Sequence, residues 1–322
     1  MRLIISVVAL LAVTVALFAV IGPNANTTLY EDPIDPSTIP GYSVTIRTDG
    51  DGNGTVAITS VSADLDVTYT ASPSPGGSFL GWYDSDSLIS GTSTCTVSAT
   101  SDKVLTATFG TSDQCLVVYD WDYPDYAAGG TATKPALYGM VYSISALEDS
   151  LDDDSTPRLA TVQVTSPSSL VEYDAACIVA LVDYLDSITG NLTALAKADL
   201  VLRFVQTNIL YTSDAEQYAA EEFWATPFET LCSQRGDCED TAVLYAAIMA
   251  AMGYNVALIQ FPTHLGAAIE VSGVTGGSEF VSGSITYTYC ETATDGYSPI
   301  GALSSSNQIT DGTVIPITVV ST

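Results

Sequence analysis

Three regimes of hydrophobic patterning follow one another along the chain. An apolar run without a charged residue, Leu3–Ile21, comes first. Short stretches with period-two alternation then fill residues 42–109, and from about residue 170 apolar positions recur at helical spacing. The alternation predicts strands at Tyr42–Arg47, Thr55–Thr59, Asp66–Ala71, Ser78–Tyr83, Cys95–Ala99 and Val104–Phe109, a small all-β module. Between the first two strands, Asp49-Gly50-Asp51-Gly52-Asn53-Gly54 matches the opening of a calcium loop. Its twelfth position is Ser60 rather than a bidentate Glu, and strands flank it, so a glycine-rich hairpin is the better reading. Trp82 is expected in the module's core rather than on a sugar-stacking face.

Residues 112–170 have the weakest pattern. The aromatic and acidic stretch Tyr119–Tyr126 is expected to wrap the following domain as loop and short strands. Beyond it, helices are predicted at Asp174–Ile188, Ala194–Leu210 and from Cys238 to Met252, the last ended by Gly253. That third helix is apolar almost all round, which requires burial on every side. Cys177, in the apolar run Ala175–Val182, reads as a core residue. Strands follow at Asn255–Phe261, near Ala267–Val271 and at Ile285–Cys290. A buried helix followed by an antiparallel sheet is an α+β layout.

Composition narrows the function. The chain has 322 residues, of which 47% are hydrophobic, enough for a substantial core. Asp and Glu number 37 against 8 Lys and Arg, for a net charge of −29. So acidic a surface excludes nucleic-acid binding and attachment to anionic lipid through a basic face. Met1-Arg2 precedes the apolar run, whose 19 residues are nearly enough to span a bilayer. No clean cleavage site follows. The segment is therefore expected to be an anchor rather than a cleaved signal peptide, with Arg2 inside and the remainder exported. Six cysteines are spaced without a dense disulfide framework or a CxxC metal pair.

Three residues carry candidate chemistry. Cys238 starts the buried helix, where the dipole and free N–H groups favour a thiolate and an oxyanion. His264 is the only histidine and is expected in a loop directly after Asn255–Phe261. Glu291 ends the strand Ile285–Cys290. A thiol, an imidazole and a carboxylate at the ends of successive elements suit nucleophilic catalysis.

The run Glu222–Leu231, then Gly236-Asp-Cys-Glu-Asp240, Gly253-Tyr254, Pro262-Thr-His264, Tyr289-Cys-Glu-Thr292 and Ile300-Gly301 resembles the transglutaminase-like superfamily, in its exported archaeal and bacterial branch. The likeness covers about 130 residues, with Phe204–Tyr211 as a further match. It implies a papain-like fold with Cys238 as nucleophile, His264 as general base and Glu291 as the residue orienting the imidazole. The family usually has Asp at the third position, which leaves Asp295 as a weaker alternative. Gln234 and Trp224 are candidates for supporting the oxyanion. Asp237, Glu239 and Asp240 are expected to point away from the thiol, because the family motif shares their acidity.

Residues 42–109 resemble the divergent internalin-type B repeat through Gly54-Thr55-Val56, Tyr69–Pro73, Phe79-Leu80-Gly81-Trp82 and Leu105–Phe109, which implies a spacer or adhesive module. The organisation expected is an N-terminal signal or anchor at 1–22, a linker at 23–41, the β-module at 42–110, a connecting segment at 111–169 and a cysteine hydrolase domain at 170–322. No cofactor and no metal are implied. The expected partners are a peptide or protein substrate at the cell surface and, through the N-terminal segment, the membrane.

Overall fold

The computed structural model describes residues 44–62, 66–98, 100–153, 167–303 and 311–318. The expected anchor and linker lie outside them. Among the described residues no helix is long and apolar enough to cross a membrane. The chain divides into two compact units, residues 1–118 with 139–146, and residues 119–138 with 147–322.

In the first unit the alternating segments become β1 (Val44–Asp49), β2 (Gly54–Val61), β3 (Asp66–Pro73), β4 (Gly77–Asp84), β5 (Ser87–Ser90), β6 (Thr94–Ser98) and β7 (Lys103–Thr111). They form one sheet in the order β1-β7-β4-β5 and another in the order β2-β3-β6. The glycine-rich turn is not a hairpin. β1 pairs in parallel with β7, whereas β2 pairs with β3, so residues 50–53 carry the chain from one sheet to the other. Gly50 makes the step possible with a φ of 96°, a region that L side chains rarely enter. Val67, Tyr69, Trp82, Leu105, Ala107 and Phe109 are buried together. Trp82 is fully enclosed and lies against Tyr69 and Phe79 at centroid distances of 6.2 and 5.9 Å, in keeping with a core role.

The segment expected to be loop and short strands is instead a ladder of two 11-residue strands, β8 (Gln114–Pro124) and β9 (Thr133–Ser143), followed by helix α1 (Ile144–Leu151). Along β8, Tyr119, Trp121 and Tyr123 are buried while Asp120 and Asp122 face solvent. This is the alternation of a half-buried strand.

The second unit continues with α2 (Ala176–Thr189), α3 (Ala194–Asn208), β10 (Leu210–Tyr211), α4 (Asp214–Gln217), α5 (Pro227–Ser233), β11 (Arg235–Gly236) and α6 (Cys238–Ala251). The chain then forms β12 (Val256–Phe261), β13 (His264–Ile269), β14 (Glu279–Ser282), β15 (Ile285–Cys290) and β16 (Thr313–Pro316). These strands make a sheet in the order β14-β15-β13-β12-β16, antiparallel throughout. Helix α6 packs on β12 and β13 on one side and on α2, α3 and α5 on the others. Every residue from Glu239 to Ala250 is buried, as the all-round apolar pattern requires. Aromatic side chains of β8 close over α3, with Tyr119 and Trp121 at 5.2 and 5.1 Å from Phe204, and the Tyr119 hydroxyl donates to the Leu231 carbonyl at 2.6 Å. Cys177 is half-buried on α2 rather than in the core. No disulfide joins any of the six cysteines.

Replacing Trp82 by Ala removes the largest enclosed side chain of the first unit, and its neighbours can collapse only in part. The variant is expected to lose about 3–5 kcal/mol in the unfolding of that unit, as measured by denaturant titration.

Candidate active site

The first turn of α6 is fixed from both sides. The short parallel pairing of β10 with β11 ties Leu210 and Tyr211, just beyond the end of α3, to the residues directly before Asp237. Gly236 permits the close approach this needs, because a Cβ there would meet Asp240 Cβ at 2.6 Å and Oδ2 at 2.8 Å. The Asp240 carboxylate accepts from the Ala225 N–H at 2.7 Å and the Asp237 N–H at 3.3 Å, locking the helix start to the chain before α5. Thr241 then meets Thr292 at 3.0 Å, hydroxyl to hydroxyl, joining α6 to the residue after Glu291.

His264 is not in a loop but opens β13, paired with Phe261 across a tight turn. Its Nε2 lies 3.1 and 3.2 Å from the two Glu291 carboxylate oxygens and 3.1 Å from the Tyr289 hydroxyl, which itself donates to Glu291 at 3.1 Å. Two acceptors at Nε2 select the tautomer with its proton there, which leaves the Nδ1 lone pair for a thiol. The longer Glu side chain therefore reaches the imidazole with both oxygens. Its backbone is held as well, since the Gln206 amide donates to the Glu291 carbonyl at 2.6 Å. Asp295 is exposed in a turn, and no hydrogen bond joins it to His264 among the described residues.

Tyr289 was not singled out from the sequence. Its phenol occupies the space where a side chain at position 266 would stand, 2.3 Å from the position of a Cβ. Gly266 is two residues after His264 on the same strand, and its missing side chain is what brings the hydroxyl to the imidazole. This pairing of a glycine on one strand with a tyrosine on its neighbour leaves no local periodic signal.

The backbone N–H of Leu265, the residue next to His264, is near enough to the Cys238 thiol to lower its pKa, which places the nucleophile candidate close to the strand that carries the imidazole. The thiol's own donor goes to Glu239 Oε2 at 2.9 Å, and no hydrogen bond joins it to His264 among the described residues. Burial raises the thiol pKa most, Glu239 and then Asp237 add to the rise, and the Leu265 N–H opposes them. The expectation that all three neighbouring acids point away from the thiol fails for Glu239, although Asp240 does serve structural hydrogen bonds. Burial, together with a hydrogen bond to Asp237, raises the Glu239 pKa well above the usual carboxylate range and favours its neutral form. A neutral Glu239 carries no charge against a thiolate, and its opposition acts only where it ionises.

The indole donor of one of the two oxyanion candidates, Trp224, is already engaged. Trp224 is buried, and its indole N–H donates to Glu222 at 2.9 Å. Gln234 caps α5 in a left-handed conformation, and its carbonyl accepts from Leu210. At the first position of α6 the Cys238 backbone N–H has no acceptor within the helix. Tyr211 is exposed, yet close enough to Cys238, Asp237 and Glu239 for their charges to raise its phenol pKa, burial being the larger cause.

A thiol at the start of a buried helix and an imidazole held by a carboxylate on the adjoining sheet thus belong to one α+β unit. Residues 185–275 match the transglutaminase-like domain family, and residues 42–113 match the divergent InlB B-repeat domain. No curated protein matches the chain. Among solved structures it is similar to a "putative cysteine protease" from Cytophaga hutchinsonii, at 12% identity and a TM-score of 0.27, covering 56% of this chain and 64% of that one. A "putative protease" from Parabacteroides distasonis follows at 9% identity and a TM-score of 0.26, covering 79% and 70%. The chain spans less than two thirds of the first of these.

Gly266→Ala is expected to force the Tyr289 ring from its place and to cost about 1–3 kcal/mol of stability through overpacking. Tyr289→Phe, which keeps the ring and removes only the hydroxyl, should cost about 1 kcal/mol. Chemical denaturation of both variants checks the order.

Proposed function

We propose that the second unit is an extracytoplasmic thiol enzyme that cleaves amide bonds of surface or wall peptides through an acyl-enzyme. The observation that carries the reading is the double hold of Glu291 and Tyr289 on His264 Nε2, beside a thiol at a helix start. In the proposed cycle Cys238 passes its proton to His264 Nδ1 as the sulfur attacks the substrate carbonyl. Electron density moves onto the carbonyl oxygen, which the Cys238 N–H and the α6 dipole stabilise. Collapse of the tetrahedral adduct breaks the C–N bond, and the amine leaves with the proton from His264. Water then attacks the thioester and gives its proton to the imidazole. The acid departs, and the thiol recovers the proton. Glu291 keeps the imidazole in the required tautomer and stabilises the imidazolium while it lasts.

Resolution of the same thioester by an amine would make the protein a transamidase that cross-links surface proteins. A non-catalytic role in surface binding or adhesion is a further reading, favoured by the bond from the thiol to Glu239 rather than to His264. The apolar run Leu3–Ile21 supports export and membrane attachment.

A panel of labelled peptides, assayed with and without a labelled amine, tests the proposal. Wild type is expected to release product or incorporate amine, and Cys238→Ala to do neither. Glu291→Gln should lower turnover at least about 100-fold, by analogy with loss of the orienting acid in a triad. Asp295→Asn should leave it within about 2-fold, as for a surface substitution. Equal turnover by wild type and Cys238→Ala would end the enzyme reading, and a damaging Asp295→Asn beside a silent Glu291→Gln would reassign the third residue.

A further inference from the structure

Residues 291–300 begin with the proposed orienting acid and have no helix or strand of their own. They leave the sheet at the end of β15 and return to it where the Gly301 N–H donates to the Tyr289 carbonyl at 2.7 Å. Asp295, Gly296 and Tyr297 are exposed, so apolar burial does little to hold the excursion. One face of α3 holds it instead. Asp199, Arg203 and Gln206 stand in line along that helix, four and then three residues apart. The Tyr297 hydroxyl donates to Asp199. The Arg203 guanidinium, paired with Asp199 at 2.9 Å, lies 3.3 Å from the centre of the Tyr297 ring.

Gln206 grips the segment at both ends. Its amide nitrogen donates to the Glu291 carbonyl at 2.6 Å and to the Ser298 carbonyl at 3.0 Å, while its amide oxygen accepts the Ser298 N–H at 3.3 Å. Both donors and the acceptor are spent here, and the reverse orientation of the amide would set its oxygen against two carbonyls. The bond to Glu291 bears on the chemistry. Glu291 Oε1 accepts the Ala293 N–H at 3.4 Å, so the carboxylate is oriented by its own backbone, and that backbone hangs on Gln206. From the carboxylate the chain of bonds passes to His264 Nε2 at 3.1 Å. At its other end α3 packs directly on α6, whose first residue is Cys238.

We propose that Gln206 is a positioning residue for the His264–Glu291 pair, holding the carboxylate where it imposes the Nε2–H tautomer on the imidazole. Once the carboxylate moves, the Tyr289 hydroxyl is free to donate to Nε2 instead of accepting from it. The tautomer that leaves Nδ1 open to a thiol is then no longer enforced. The effect on turnover rests on the proposed cycle, whereas the effect on the tautomer does not.

His264 is the only histidine, so nitrogen NMR of the full chain, at a pH where the imidazole is neutral, reads its tautomer directly. Wild type is expected to carry the proton on Nε2 alone. Gln206→Met keeps the length of the half-buried side chain, loses all three bonds and is expected to populate both tautomers. Gln206→Glu keeps the acceptor, turns oxygens against the two carbonyls and is expected to do the same; it decides alone if Gln206→Met fails to fold. Tyr297→Phe releases the segment from Asp199 only and should keep the wild-type tautomer. On a labelled peptide that wild type cleaves, Gln206→Met should lower kcat at least about 10-fold and leave KM within about 2-fold, since a displaced support acts on the transition state and not on binding. A wild-type tautomer in both Gln206 variants overturns the inference, as does an equal shift in Tyr297→Phe. A shifted tautomer in a chain that cleaves no peptide upholds the inference and counts against the proposed function.

Discussion

The candidate site depends on the burial of α6 from every side. A helix packed against β12 and β13 and against α2, α3 and α5 cannot shift or rotate without breaking several interfaces at once. Its N-terminus is therefore a fixed point, and Cys238 inherits that fixity. The same burial draws the first-turn acids out of water, which is why Glu239 and Asp240 hold their protons far above the usual carboxylate range. One packing constraint thus sets both the position of the thiol and the unusual chemistry of its neighbours.

The opposing half of the site is built on a different principle. His264 opens an edge-forming turn between β12 and β13, where an imidazole would swing freely without its supports. Tyr289 and Glu291 come from β15 and just beyond it, and β13 lies directly beside β15. The absent side chain at Gly266 lets the phenol settle over β13 and reach the ring. Gln206 of α3 holds the Glu291 backbone, and Thr241 of α6 meets Thr292. The carboxylate is thus fixed relative to the helix that carries the thiol.

Much of this was legible in the sequence. The helices at 176–189, 194–208 and 238–251 fall within two residues of the periodic runs that predicted them, because long one-sided or all-round apolar patterns are strong signals. The β-module was legible through alternation, except that β1 and β2 lie in different sheets, and pairing partners are not encoded in local pattern. Strand β8 was missed although Tyr119-Asp120-Trp121-Asp122-Tyr123 alternates cleanly, since its acidic residues and the following proline read as loop. Strand β16 is short and far in sequence from its partner β12, so nothing local announces it. At the site, Cys238, His264 and Glu291 were named from order and residue type. The contact of Glu239 with the thiol and of Tyr289 with the imidazole were not, because both follow from how buried elements meet.

The central claim is that His264 activates Cys238. Timed alkylation of the full chain with iodoacetamide at neutral pH, followed by peptide mapping of all six cysteines, measures it directly. The account predicts that Cys238 is modified faster than Cys95, Cys115, Cys177, Cys232 and Cys290, and that His264→Ala removes the difference while the domain stays folded. Modification of Cys238 at the rate of an ordinary thiol, or a fast rate that persists in His264→Ala, would contradict it.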